Sequence, residues 1–271
     1  MKLKNKTIWI TGASSGVGEG MAKVFHREGA DIIISARREA ELERVKAACT
    51  AGPGGVHVLP FDVTDADQRA DAAREVLGEF ERLDVLVNNA GIGQRSAAVD
   101  TLLDVDRKVM EVDYFAPVAL TKLVLPRMVE QKHGHLVVTS SVAGKYAVPH
   151  HSAYCAAKHA LHGYFDTLRV EHFHDNIDVT LLVIAGVTSN VFRHALRGDG
   201  SEYGPSNWDS RGGISAEECA ERVVTGMLNR DYEIVISIEA ALESMRLREK
   251  DPRAFVERMA GMAKWMAKPR T

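Results

Sequence analysis

Short apolar runs and longer amphipathic stretches alternate along the chain. Thr7–Thr11 (TIWIT), Asp31–Ser35 (DIIIS), Val56–Phe61, Val85–Val87, Leu136–Thr139, Val179–Ile184 and Glu233–Ser237 are rich in Ile, Val and Leu and predict strands. Gly16–Arg27, Glu39–Cys49, Asp65–Phe80, Val105–Gln131, the stretch carrying Tyr154 and Ser215–Asn229 space their apolar residues at the helical period. The strands lack in/out alternation, as expected where both faces of a parallel sheet are covered. Strand and helix in strict succession predict βαβ units with right-handed crossovers, hence one α/β domain around a parallel sheet.

Two stretches depart from this rhythm. Asn190–Gly213 mixes Gly, Ser, Asn and Pro with Phe192, Leu196, Tyr203 and Trp208, which predicts a substrate lid. Order resumes where Ser215 is placed to cap a helix, with Glu218 completing a capping box. Beyond the last strand, Glu239–Lys268 carries Met245, Leu247, Phe255, Met259, Met262, Trp265 and Met266 among many charges, and predicts amphipathic helices interrupted at Asp251-Pro252. Such helices either pack onto the domain or meet a subunit or membrane surface. The expected division is a dinucleotide-binding and catalytic part over 1–238 and a C-terminal helical extension of the same domain over 239–271.

Composition narrows the class. The chain has 271 residues, 45% hydrophobic and 26% charged, within the range of one α/β unit. A formal net charge of -3 argues against nucleic acid or an anionic membrane as the main partner. The three cysteines, Cys49, Cys155 and Cys219, are far apart, which fits a reducing compartment rather than a disulfide framework or zinc site. No signal peptide or membrane-spanning run is expected, so a cytoplasmic protein is the default reading. Eleven histidines match no strong metal-ligand spacing, so no metal is expected; His150 and His151 are placed to line a substrate entrance.

Candidate chemistry lies in Leu136–Leu161. Tyr154 and Lys158 stand four apart on a helix and so share a face. A free phenol titrates near 10, and a neighbouring cation stabilises the phenolate and brings it toward a useful range. Ser141, at a strand end, is placed to hydrogen-bond the same oxygen that the phenol serves. An ordinary helix pair and a turn serine explain these residues equally well without a partner elsewhere.

The first strand supplies one. It runs into Thr11-Gly12-Ala13-Ser14-Ser15-Gly16-Val17-Gly18 and directly into a helix. Glycines there allow a sharp turn and close approach of a pyrophosphate to helix-terminal amides. At the end of the second strand a 2′-hydroxyl calls for an acid and a 2′-phosphate for a cation. The run is Ser35-Ala36-Arg37-Arg38, with no acid at the strand end. Arg37, with or without Arg38, therefore predicts NADP(H) over NAD(H). The alternative is that both arginines are solvated or paired with Glu39 and Glu41.

The glycine turn, Asn88-Asn89-Ala90-Gly91 after the fourth strand, and Ser141 with Tyr154-x-x-x-Lys158 occur together in that order. In combination they resemble the short-chain dehydrogenase/reductase family over roughly residues 4–190. The resemblance implies a single Rossmann-type, doubly wound parallel sheet of about seven strands with helices on both faces. It implies hydride transfer between a nicotinamide and a carbonyl or alcohol carbon. Tyr154 would be the general acid or base. Lys158 would lower the phenol pKa and bind the nicotinamide ribose, and Ser141 would hold the substrate oxygen. Gly12, Ser14, Ser15, Val17 and Gly18 would cradle the phosphates and ribose. Asp62 and Val63 would flank the adenine, and Asn89, Ala90, Gly91, Val112 and Val187 would line the trough. Homodimers or homotetramers through the long helices are the family's habit.

Two positions depart from the family pattern. Asp113 stands where the family often has a catalytic Asn, so a carboxylate is expected to pair with Lys158, raising the Tyr154 pKa and shifting or reducing activity. After the sixth strand the usual Pro-Gly is replaced by Ile184-Ala185-Gly186-Val187-Thr188-Ser189-Asn190, leaving Ser189 or Thr188 for the carboxamide. The expected function is NADP-dependent reduction of a small hydrophobic carbonyl, or oxidation of a secondary alcohol. The rival is a non-catalytic NADP-binding sensor or interaction protein of the same fold.

Overall fold

β1 (Thr7–Thr11) is an interior strand of a seven-stranded sheet, and its residues serve both faces. Ile8 and Ile10 pack into one apolar layer and Trp9 into the other, all fully buried, as the two-residue strand period requires. The computed structural model describes residues 1–187, 194–204 and 213–266. β1 pairs in parallel with β2 (Asp31–Ser35) on one side and β4 (Val85–Asn88) on the other. β3 (Val56–Val58), β5 (Gly134–Ser141), β6 (Ile177–Ile184) and β7 (Glu233–Ile236) complete the parallel order β3-β2-β1-β4-β5-β6-β7. The order reverses between β1 and β4, and a doubly wound sheet opens its ligand crevice at the carboxyl ends beside such a switch point.

Helices cover both faces. α1 (Gly16–Arg27), α2 (Glu39–Ala48) and α7 (Ala216–Asn229) supply Met21, Phe25, Leu42, Val45, Val223 and Val224 to the Ile8 layer. α3 (Ala66–Glu79), α5 (Ala116–Glu130) and α6 (Ser152–Glu171) supply Val76, Leu120, Val124, Leu161 and Phe165 to the Trp9 layer. The doubly wound Rossmann-type architecture is thus as the sequence predicts.

Several boundaries differ from expectation. β3 ends at Val58 rather than Phe61, and β5 and β6 begin at Gly134 and Ile177. β5 does not break before the two serines: Ser140 and Ser141 pair with Val183 and Ile184, because β6 is long enough to carry the ladder to that point. The predicted helix over Val105–Gln131 divides into α4 (Leu103–Met110), a π-helical turn Glu111–Phe115 and α5. Ser215 caps α7 through a 3.0 Å bond from the Glu218 amide, but Glu218 does not complete a capping box, because its carboxylate is taken by Arg222 at 2.7 Å. The tail forms α8 (Glu239–Lys250) and α9 (Pro252–Met266), broken at Asp251-Pro252 as expected. Phe255, Met259 and Ala241 are buried against Val142, Tyr146 and Val183, so α8 and α9 pack beside the end of β5. Among the described residues no helix is long and apolar enough to cross a membrane.

Candidate active site

The turn between β1 and α1 folds as it does because Gly12 takes φ +66° and Gly16 φ +57°, a backbone region that favours glycine. A Cβ on Gly12 would stand 2.7 Å from Ala90 Cα, so the β1 and β4 loops can touch only while residue 12 lacks a side chain. Gly12→Ala is expected to cost about 1–3 kcal/mol through strained backbone and the displaced loop, read as a lower midpoint of thermal unfolding. Gly18 does not line the cleft; its α-carbon packs against Gly12 O, where a Cβ would lie 2.3 Å away. Asn89 clamps the same junction. Its Nδ2 donates to the carbonyls of Thr11 (3.1 Å) and Gly12 (3.3 Å), and its Oδ1 accepts from the Thr139 hydroxyl at 3.1 Å.

Above these strand ends lies a cleft of about 1310 Å³. Gly12, Ser14, Ser15, Val17, Arg37, Arg38, Asp62, Val63, Asn89, Ala90, Gly91, Val112 and Val187 all border it, together with Asp113, Ser141, Tyr154 and Lys158. The topology thus gathers every predicted site residue except Gly18, which lies behind the wall, and Ser189, which lies outside the described residues with Thr188. Arg38 donates to Ser14 Oγ at 3.2 Å, and Arg37 stands largely exposed, 3.9 Å from Asp62. Glu39 and Glu41 do not neutralise them; Glu41 pairs with Arg44 instead. The bare glycine turn and the guanidiniums beside it, of which Arg37 faces Asp62, fit the phosphates of a dinucleotide.

Ser141 reaches the cleft from the end of β5, and Tyr154 and Lys158 from one face of α6. Lys158 Nζ stands 5.4 Å from the centre of the Tyr154 ring. It donates to the Thr139 carbonyl at 2.9 Å and lies 3.2 Å from Asp113 Oδ2. The π-helical turn carries Asp113 inward, where Oδ1 accepts from the Ile92 amide at 2.7 Å. Oδ2 finds no donor on a hydrogen-bond axis. The expected carboxylate–ammonium pair is present and buried.

The electrostatics follow. Burial pushes the Tyr154 phenol above its ordinary value; Lys158 and a bond from Ser141 pull it down, and Asp113 pushes it further up. Lys158 therefore lowers the phenol, as expected, but burial and Asp113 outweigh it. Burial pulls Lys158 down, yet Asp113 and the phenolate more than restore it, so its net direction is up. Burial raises Asp113 against the opposing pull of Lys158 and the Ile92 amide.

Other features were not legible in the sequence. The tail contributes Ala241, Arg258, Met259 and Met262 to the cleft, opposite Tyr146 and Val148. Helical spacing revealed an apolar face there but not what it faces. His151 borders the cleft and His150 does not; burial drops His151 to about 4, while its Nδ1 bonds the Pro149 carbonyl at 2.7 Å. Of the predicted lid, Leu196 and His194 border the cleft, whereas Tyr203 is held between Arg95 and Arg197, at 4.7 and 5.2 Å. Phe192 and Trp208 lie outside the described residues. His57, Glu75 and Glu79 converge on the surface, a grouping their sequence spacing did not suggest.

A Rossmann sheet whose crevice holds a glycine turn and a Ser, Tyr and Lys constellation defines a nucleotide-binding oxidoreductase class. The short chain dehydrogenase family model matches residues 6–199. A Rattus norvegicus protein, dehydrogenase/reductase SDR family member 7B, is 40% identical over 268 residues, covering 97% of this chain and 82% of the relative. A metagenomic short-chain oxidoreductase solved with NADP is 26% identical with a TM-score of 0.72, over 88% of this chain and 98% of that one. A Burkholderia phymatum short-chain dehydrogenase/reductase solved with NAD shares the fold at a TM-score of 0.80 and 22% identity, over 94% and 96% of the two chains. The chain belongs to the short-chain dehydrogenase/reductase family of oxidoreductases.

Proposed function

We propose that this protein reduces a hydrophobic ketone or aldehyde, or oxidises the corresponding secondary alcohol, with NADP(H). The observation that carries this reading is the convergence of Ser141, Tyr154 and Lys158 on the same cleft as the glycine turn. NADPH, when bound, supplies the hydride. Tyr154 then donates a proton to the carbonyl oxygen, or accepts one from an alcohol. Ser141 holds that oxygen through its hydroxyl and stabilises charge developing there. Lys158 keeps positive charge beside the phenol and presents a donor to the nicotinamide ribose. Gly12, Ser14, Ser15 and Val17 receive the phosphates, with Gly18 allowing the loops to close. Asp62 and Val63 border the adenine, and Arg37 and Arg38 receive the 2′-phosphate.

NADPH absorbance followed against a panel of ketones, aldehydes and quinones tests the reading. Turnover supports an enzyme; NADPH binding with no turnover across the panel favours the non-catalytic sensor instead. Replacing Arg37 and Arg38 together by Ser removes the charge-assisted bonds to the 2′-phosphate, each worth about 1.5–3 kcal/mol. The KM for NADPH is expected to rise by at least tenfold while that for NADH changes little. Equal effects on both cofactors would remove the assignment.

The substrate side is apolar, with Val142, Tyr146, Val148, Met259 and Met262 around it. The residues around 194–204 act as its lid, and the 239–266 helices act as a specificity wall added to the catalytic part. Met262→Ala is expected to raise the KM for bulky apolar carbonyls roughly fivefold, about 1 kcal/mol, with kcat little changed. A KM unchanged across substrates of different size would place α9 outside the binding site. The three free thiols support a reducing, cytoplasmic setting. Exposed Phe115 and Leu123 on the central helices support association into a homodimer or homotetramer.

A further inference from the structure

Ser140 precedes Ser141 and, by strand alternation, faces away from it. Its hydroxyl lies 2.9 Å from His162 Nε2, and His162 Nδ1 lies 3.4 Å from Glu233 Oε1 at the start of β7. Glu233 also accepts from Lys145, whose carbonyl accepts from Arg248 of α8. With Nδ1–H directed at Glu233, Nε2 accepts the Ser140 proton, so one serine–imidazole–carboxylate chain links β5, α6 and β7. Bonds from His162 and Lys145 hold Glu233 down to about 2 against the opposing effect of burial, which keeps the anion charged. Glycine is needed at position 144 because a Cβ there would stand 2.7 Å from Ser140 Oγ and 2.9 Å from His162 Cδ2.

The order of groups is that of a hydrolytic triad, but Ser140 is only 2% exposed and its hydroxyl is committed to His162. His162, Lys145 and Glu233 do not border the cleft. Their placement matters instead. His162 stands one helical turn beyond Lys158 and two beyond Tyr154 on α6. Ser140 is the chain neighbour of Ser141 on β5, and Lys145 ends the turn carrying Val142 and Ala143, which do border the cleft.

We propose that Ser140, His162 and Glu233, closed by Lys145, form a positioning relay that holds Ser141 and the 142–146 turn in register with Tyr154 and Lys158 on α6. His162 is then a positioning residue for the reaction, although it touches neither substrate nor cofactor. This rests on the reductase reading above, and its test has one readout that does not.

Ser140→Ala and Glu233→Gln change side-chain volume little and each remove one end of the relay, and the double variant removes both. Ser140 and Glu233 meet only through His162, so the relay makes their effects non-additive. Each single variant is expected to lower kcat about tenfold with NADPH affinity within twofold, because a small misplacement costs rate rather than binding. The double variant is expected to be no slower than the worse single one. Hydrogen exchange read by mass spectrometry should rise in the peptide spanning 142–146 in all three and stay unchanged in α1. Unchanged exchange there, or losses of kcat that multiply and track the loss of thermal stability, would overturn the relay. If the unaltered protein bound NADPH but turned nothing over, the reductase reading would fall, and the exchange data alone would decide the relay.

Discussion

Tyr154→Phe is expected to lower kcat by about 10²–10⁴-fold, the usual contribution of a positioned general acid, while NADPH affinity stays within a few-fold. The substitution removes one oxygen from a fully packed ring and leaves Ala153, Ala157 and Val109 around it. A folded protein with intact cofactor binding and lost turnover would assign the proton to Tyr154. Turnover within threefold of the unaltered protein would instead direct attention to another donor bordering the cleft, such as His151. The burial that raises the phenol pKa favours the protonated form, which suits reduction more than alcohol oxidation at neutral pH.

The second large effect concerns Lys158. Breaking a buried ion pair by removing one partner costs about 3–5 kcal/mol, because the remaining charge stays desolvated. Lys158→Met is expected to show a loss of that order in denaturant unfolding, together with loss of turnover. Asp113→Asn in the same chain should recover part of the stability, since no anion is then left unpaired. The pH dependence has a defined sign. Asp113 has a folded pKa above its ordinary value, so the folded state binds a proton that the unfolded state does not. Stability attributable to Asp113 therefore falls as pH rises from the ordinary carboxylate range through that raised value. In Lys158→Met the opposing pull of the ammonium is gone, so this falling limb extends to higher pH. Additive losses in the double variant, or a pH-independent deficit, would show that the two side chains do not act as a pair.

Asp113→Asn alone separates the pair from the chemistry. Asp113 pushes the Tyr154 phenol up, so removing its charge lowers that pKa. The acid limb of alcohol oxidation and the alkaline limb of reduction both move to lower pH, and oxidation near neutrality rises several-fold. Unchanged limbs would leave the carboxylate with a packing role only.

Much of the site was legible in the chain because its pieces are local. A strand running into Gly12-Ala13-Ser14-Ser15-Gly16 must turn where glycine allows, and Tyr154 and Lys158 share a helix face whatever surrounds them. Arg37 and Arg38 follow the end of β2 by two and three residues, so their placement beside the glycine turn is also local. The proximity of Asp113 to Lys158, 45 positions apart, was expected only through the resemblance to the family, and the two stand 3.2 Å apart in the fold. How deep the pair sits, and that burial wins over the cation at Tyr154, were not legible, because desolvation depends on what covers a group.

Local pattern by itself therefore determined the order of strands and helices and the glycine turn of this protein, and placed Tyr154 and Lys158 on one helix face, since each depends on residues close in sequence. Tertiary structure alone decided that the C-terminal helices wall the cleft with Arg258, Met259 and Met262, that Gly18 packs behind it, and that Ser140, His162 and Glu233 meet. The Ser140–His162 and His162–Glu233 contacts join residues 22 and 71 positions apart, and arise because packing brings β5, α6 and β7 together. Periodicity reports which face of an element is apolar, but only packing selects the surface that face meets.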